Sequence, residues 1–564
     1  MRPGNSRHEA RTLLAPNSTN YKIAAVAGLF FYVCATSTLT TNIIMSQKFD
    51  DALFIRLGLN LAEGHWLGLY NELTLVKGPI YPLFLAFNAF TGFPINITQF
   101  TLYYIASMYI SYVISRIANS MLVGLIVFVL LLLNPSLYVD DLRRVIRTVF
   151  YVSILYVLIA SWIDLYLLYP TKARRYGLAI GSGICLAAVW MTREEGFIVI
   201  STLLIVFVSG VLLVSKDQIR KERINTAFVH LALALGSAVA VFCIVATLNF
   251  FNYGRFAVDE MKDGDFQSAL IALQRVGGVF DRPYVPVPRE ARKAIYPESP
   301  AFSSLQRFLD PPRGGARFVS SADICKMLPS TCNDIAGGWF LWALRDAAAR
   351  AGMHGSAQQA ASFYRQLASQ VNTACATHKV RCLAWIPPLV PPIPASQWAI
   401  FPSNLLRGLL LLAYIPTPQF VQGQSDLEAP DGAAAVEFLN RPLQYTDPSA
   451  EPRSRIWLRS AWLFVVQASI PIIRLIIAIG GISLLFSVLI RRRALLSDPA
   501  FWGLTALLSL SATQIFVLAL VHVSSFPTLW HERTVIAEPF LVSAAVLAIH
   551  LAYKSLVAQV PSVG

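Results

Sequence analysis

The chain has 564 residues, 55% of them hydrophobic and 14% charged, with a mean hydropathy of +0.55. Soluble domains carry roughly 25% charged residues, so the composition excludes an ordinary soluble protein and indicates an integral membrane protein. The formal charge of +14 would suit a nucleic-acid binder, but no nucleic-acid-binding motif is present. Most of the excess lies in short loops between apolar runs, where basic residues set topology and meet membrane lipid headgroups.

In chain order, residues 1–21 form a polar tail with Arg2, Arg7 and Arg11, expected in the cytoplasm with no cleaved signal peptide. The first apolar run, 22–46, has the length of a bilayer span. A first outer loop, 47–97, contains "PIYPLFLAFNAFTGFP" at 79–94, which is short and proline-bounded and is expected to lie on or re-enter the outer face without crossing. Runs at 98–116, 121–138, 148–169, 176–192, 196–214 and 225–251 complete seven spans in a membrane module at 22–255. Residues 256–455 are soluble in character. "DFQSALIALQRV" and "GGWFLWALRDAAARAG" have helical periodicity, 386–396 is proline-rich and expected to be irregular or extended, and 404–415 is apolar but short, expected against the membrane surface. Runs at 457–490, 499–522 and 533–553 add three spans in 456–564. The expected fold is an all-α membrane protein with a bundle of about ten transmembrane helices, seven plus three, and a mainly helical outer domain.

Basic clusters belong in cytoplasmic loops. Lys172, Arg174 and Arg175, then Lys216, Arg220, Lys221 and Arg223, then Arg491, Arg492 and Arg493, and Lys554 all fall inside if each run crosses once. Both termini are then cytoplasmic, and 256–455 lies outside. Cys34, Cys185 and Cys243 sit in apolar runs as packing residues. Cys325, Cys332, Cys375 and Cys382 share the outer segment, where three pairings are open. Local pairs, 325 with 332 and 375 with 382, are favoured. A four-thiolate zinc site is the alternative, with spacers longer than the usual two to four residues. Disulfides place the segment in an oxidising compartment.

With this threading the outer ends of the spans gather charge: Asp50 and Asp51; Arg56, Glu63, His65, Glu72 and Lys77; Asp140, Asp141, Arg143, Arg144 and Arg147; Arg193, Glu194 and Glu195; and His531, Glu532 and Arg533. Taken singly, most such residues are solvated caps or ion-pair partners. In "DDLRRVIR", Arg144 or Arg147 can pair with Asp140 or Asp141 at helical spacing. Adjacent acids such as Asp50 and Asp51 repel, so something must offset them. Together the groups have a chemistry: carboxylates at the lipid rim accept a proton or hold a divalent metal ion, and cations bind a lipid-borne phosphate. Group transfer from a phospholipid-like donor needs both. Trp339, Trp342, Trp385 and Trp398 are either sugar-stacking residues or core and interface residues.

The acid pair after the first span, then "LFIRLGLNLAEGHWL", then "KGPIYPLFLA", resembles the first outer loop of GT-C-fold glycosyltransferases, specifically the protein O-mannosyltransferase and aminoarabinose (lipid A) transferase group. That group has Asp-Glu and Lys-Pro-Pro where this chain has Asp-Asp and Lys-Gly-Pro. The resemblance covers roughly 20–250 and, less closely, 456–553; it does not extend over 256–455. It implies a polyprenyl-phosphate-linked sugar as donor, a glycan, lipid or protein acceptor, and inversion at the anomeric carbon. Asp50 aligns with the catalytic base, with Asp51 as second choice, and Lys77 with the lysine that meets the donor phosphate. Arg533, Arg193 or Arg147 supply a second phosphate contact. Asp140 or Asp141, with Glu194, orient the acceptor or bind a metal ion. A bacterial inner membrane is the expected setting. Two other classes compete. A lipid or glycan transporter or flippase would carry ionisable groups near mid-membrane and often inverted repeats; no internal repeat is seen here. A non-catalytic scaffold with a glycan-binding outer domain would tolerate the loss of both Asp50 and Lys77.

Overall fold

In lipid every backbone polar group needs an internal partner, so apolar runs fold as helices, and each of the ten runs contains one. The computed structural model describes residues 18–213, 217–262, 264–311, 317–386, 391–418, 431–440, 451–529 and 531–557. The basic tail 1–17 and Lys216 lie outside the described residues, as do the side chains of Arg220, Arg491, Arg492 and Arg493.

The membrane module comprises α1 (Ser18–Ser37), α2 (Asp51–Ala62), α3 (Ile80–Thr91), α4 (Ile95–Ala118), α5 (Met121–Leu132), α6 (Thr148–Ile163), α7 (Lys172–Thr192), α8 (Val199–Leu212) and α9 (Asp217–Tyr253). The outer segment supplies α10 (Gly264–Gly277), α11 (Gly337–Arg350), α12 (Ala357–Ala376), α13 (Ala395–Ala413) and α14 (Gly432–Asn440), with shorter turns between. The chain closes with α15 (Arg453–Leu495), α16 (Pro499–Ser524) and α17 (Glu538–Val557). No strand forms among the described residues beyond two isolated bridges.

Six described helices are long and apolar enough to cross a bilayer, seven if α3 and α4 count as one bent span, against ten expected. Ala25–Ser37 and Gly196–Leu212 are apolar but shorter, and α7 opens with Lys172, Arg174 and Arg175. The first run is the clearest departure. Its helix stops at Ser37, nine residues before the apolar run ends at 46. The Asn96 amide donates to the carbonyls of Ser37 and Leu39, and Arg459 donates to that of Thr38, satisfying groups that a longer helix would pair internally. The remaining apolar residues are used in packing: Leu39, Ile43 and Met45 are buried. The segment at 79–94 forms α3, twelve residues or ~18 Å long, well short of a ~30 Å hydrocarbon core. Gly92, at φ +70°, ends it, and α4 leaves at 115°.

α4 packs on α5 and α6, α7 runs along α9, and α17 joins α15 to α16. The outer domain has its own core of Phe266, Leu273, Phe302, Phe340, Leu344 and Leu367. It is braced by disulfides Cys325–Cys332 and Cys375–Cys382, the local pairing, which leaves no thiolates for zinc. Of the proline-rich stretch, 387–390 lie outside the described residues. The part that is described stays non-helical until Ala395. The apolar 404–415 stretch becomes the end of α13, which packs Leu412 against Ile515 and Leu518 of α16.

Candidate functional site

Asp50 and Asp51 open α2 and face opposite ways. Asp50 occupies the cap position, makes no capping hydrogen bond and is exposed. Asp51, the first helical residue, turns inward and its side chain is 0% exposed. Arg144 takes it in a two-point contact, Nη2 to Oδ2 at 2.5 Å and Nε to Oδ1 at 3.3 Å. Arg144 is the offset that an adjacent acid pair requires. Burial raises the Asp51 carboxyl from 3.8 to about 6 against the pull of Arg144, with Asp50 adding to the rise. Between those values the folded chain holds a proton that the unfolded chain has lost, so this group's contribution to stability falls as pH rises from about 4 to about 6. The unfolding temperature of Asp51→Asn, measured relative to wild type, should therefore climb across that window. A flat difference would remove Asp51 as the titrating group.

Lys77 lies in a turn that runs against the end of α7. A Cβ on Gly78 would collide with the Met191 carbonyl oxygen, so the close approach of the turn requires glycine there. The turn brings Lys77 Nζ to Glu194 Oε1 at 2.5 Å. Arg147, which closes the loop before α6, donates from Nη2 to Glu194 Oε2 at 2.7 Å and from Nη1 to the Thr192 carbonyl at 2.7 Å. Two cations 70 residues apart in the chain thus share one carboxylate. Glu194 titrates well below its usual value: its desolvation is outweighed by Arg147, Lys77 and Lys262. Its side chain is nevertheless 44% exposed, so solvent reaches the carboxylate.

Aromatic contacts link Phe49, the chain neighbour of Asp50, to this cluster. Phe49 stacks on Trp342 with ring centroids 4.5 Å apart, and Lys77 Nζ lies 5.7 Å from the Trp342 ring centre. Trp339 stands 5.9 Å from Phe49 on the same helix, α11. One turn further on, Arg345 donates to the Glu72 carbonyl at 2.7 Å and to Glu260 Oε2 at 2.8 Å. Glu260 also accepts from the Tyr70 hydroxyl, and its backbone N–H donates to the Leu75 carbonyl. Residues of the 256–455 segment thereby hold the loop that carries Lys77.

The other candidates are placed differently. Arg193 is buried, pairs with Glu195 at 3.2 Å and faces Tyr151, so it turns away from Lys77. Arg533 lies over the Phe526 ring at 5.3 Å; the side chains of His531 and Glu532 lie outside the described residues. Asp140 pairs with Arg143, while Asp141 is exposed. The helical pairing within "DDLRRVIR" does not form as expected: residues 140–142 make one 3-10 turn rather than an α-helix, and Arg144 and Arg147 reach Asp51 and Glu194 instead. Asp140, Asp141 and Glu194 do not form a metal cradle; among the described residues no three His, Cys, Asp or Glu side chains converge. A small pocket beside Arg144 is lined by Thr40, Asn96, Gln99, Arg143 and Arg144 but by neither Asp50 nor Lys77.

One functional neighbour escaped the sequence reading. Lys262 donates to the carbonyls of Trp190 at 2.5 Å and Arg193 at 3.2 Å and acts electrostatically on Glu194. Its signal was there: "VDEMKDGD" follows the seventh run with the same mixture of acids and cations that marked the other outer loops.

No family model matches the chain, and no curated protein matches it. Among solved structures, ArnT from Cupriavidus metallidurans in the apo state aligns over 96% of this chain and 78% of its own, at 12% identity and a TM-score of 0.30. The Archaeoglobus fulgidus oligosaccharyltransferase in the apo form aligns over 95% of this chain at 12% identity and a TM-score of 0.35. The chain spans about half the length of that second protein, 51%.

Proposed function

We propose that this integral membrane protein is a GT-C-type glycosyltransferase that moves a sugar from a polyprenyl-phosphate donor to an acceptor on the outer face, inverting the anomeric centre. The observation that carries the reading is the convergence of Lys77 and Arg147 on one solvent-reached carboxylate, with Lys77 close to Trp342, on which Phe49, the chain neighbour of Asp50, stacks. Two cations at a lipid rim suit a lipid-borne phosphate, and an open carboxylate nearby suits a general base.

In this reading Asp50 accepts the proton of the acceptor hydroxyl or amine as that atom attacks the anomeric carbon. The bond from that carbon to the phosphate oxygen breaks, and its electron pair leaves with the phosphate. Negative charge grows on the leaving oxygen as an oxocarbenium-like transition state forms. Lys77 and Arg147 therefore stabilise the transition state more than the ground state. Arg147 is the second phosphate contact best supported by position; Arg533, at the opening of the last span, is a further candidate, and Arg193 braces the loop through Glu195. Asp141 is the acceptor-side candidate, because Asp140 is taken by Arg143. The outer domain would face the periplasm of a bacterial inner membrane, a placement supported by its two disulfides and by the basic loops at 172–175 and 221–223.

The test is transfer of labelled sugar from polyprenyl-phosphate sugars in membranes. Lys77→Ala should lower kcat about 10²–10³-fold, the cost typical of removing one preorganised charge-stabilising donor. A scaffold would tolerate the change, and a flippase would move the intact sugar lipid without cleaving it; either result ends this reading.

A further inference from the structure

The two cations that this reading assigns to the donor phosphate already hold an anion. Lys77 and Arg147 each direct a donor at Glu194, at 2.5 and 2.7 Å, and their own side chains are only 12% and 10% exposed. The carboxylate between them is the open partner, with 44% of its side chain reached by solvent. The adjacent pair shows the contrast: Arg193 and Glu195 are 7% and 14% exposed, so there both partners are enclosed. Glu194 instead sits where an incoming ligand would sit, with its oxygens against the cations and part of its side chain open to solvent.

We propose that Glu194 is an internal stand-in for the donor phosphate. It keeps Lys77 and Arg147 together while the site is empty, and it swings out when polyprenyl phosphate enters. The inference rests on the reading of Lys77 and Arg147 as the phosphate seat. Without a carboxylate between them the two cations would repel. A phosphate brings more charge and more acceptor oxygens than a carboxylate, so it can displace one from the same donors. Glu194 stands in the turn between α7 and α8, and rotation of its side chain alone carries the carboxylate away from the cations. The consequence is a donor site inhibited by its own side chain: affinity for the lipid phosphate is lower than the cations alone would give.

The experiment measures thermal unfolding of the full chain in detergent while farnesyl phosphate is titrated, with inorganic phosphate as the arm lacking a lipid tail. In Glu194→Gln the half-saturating farnesyl phosphate concentration should fall about tenfold relative to wild type, the size of one charge-assisted contact. Lys77→Ala in the same background should abolish the gain. Glu194→Asp, too short to reach both cations, should shift the same way and covers the case in which the glutamine variant folds poorly. In the transfer assay the donor KM of Glu194→Gln should fall by a similar factor. Unchanged or weaker binding by folded Glu194→Gln and Glu194→Asp overturns the inference, even if transfer activity is found. Tighter binding in a protein that transfers no sugar would instead overturn the transferase reading and leave the phosphate seat standing.

Discussion

Asp50→Asn should cut sugar transfer about 10²–10⁴-fold, the range for loss of a positioned general base, while leaving the folded protein unchanged. Both halves of that expectation follow from where the residue stands. Asp50 caps α2 by position but makes no capping hydrogen bond, so an amide removes its basicity without breaking a contact. The donor KM should hardly move, because Lys77 and Arg147 are untouched. Asp51→Asn is the matched control. Its side chain is enclosed and bound to Arg144, out of reach of any acceptor, so it should alter the pH dependence of stability and leave a measurable rate. Full activity in Asp50→Asn, measured with labelled sugar at saturating donor, would eliminate the proposed base; a complete loss in Asp51→Asn with normal folding would transfer that role to its neighbour.

Arg345→Met should destabilise the protein by about 3–5 kcal/mol, the cost of leaving one member of a buried ion pair without its partner. Arg345 and Glu260 are 1% and 7% exposed and 2.8 Å apart, and the same guanidinium holds the Glu72 carbonyl. The variant abandons Glu260 and releases the loop leading to Lys77. The unfolding temperature should fall, and protease should cut the 63–79 loop sooner. Glu260→Gln added to Arg345→Met should recover much of the loss, because the stranded charge is gone. If Arg345→Met unfolds like wild type, α11 is not what fixes this loop.

Part of this architecture was legible because it depends on short stretches of chain. An apolar run in lipid must become a helix whatever surrounds it, so each run contains one. The pairing of Cys325 with Cys332 and of Cys375 with Cys382 followed from proximity in the chain. The end of α1 was not legible, because Ser37 is set by Asn96, Arg455 and Arg459, which arrive from distant segments to take its last carbonyls. The shortfall from ten clear spans has local causes: α7 opens with Lys172, Arg174 and Arg175, and the apolar parts of α1 and α8 are short.

The candidate site divides in the same way. Its residue types and their gathering near the ends of apolar runs could be read from the chain, which offers Asp50, Lys77, Arg147 and Glu194 as candidates. Their partnerships could not. Helical spacing offered Arg144 and Arg147 to Asp140 and Asp141, yet a 3-10 turn there directs them to Asp51 and Glu194. Lys262 went unnoticed although its segment carried the right charges, because its role depends on α9 returning it to the carbonyl end of α7.

Taken by itself, then, the sequence determined the membrane character, the helical class and the inventory of charged groups, since these depend on composition and on runs shorter than a span. Tertiary structure decided which acid stays open and which is enclosed, and which cations share a carboxylate. Those outcomes depend on burial and on distances of a few ångströms between residues 47 to 273 positions apart, and no local pattern encodes them.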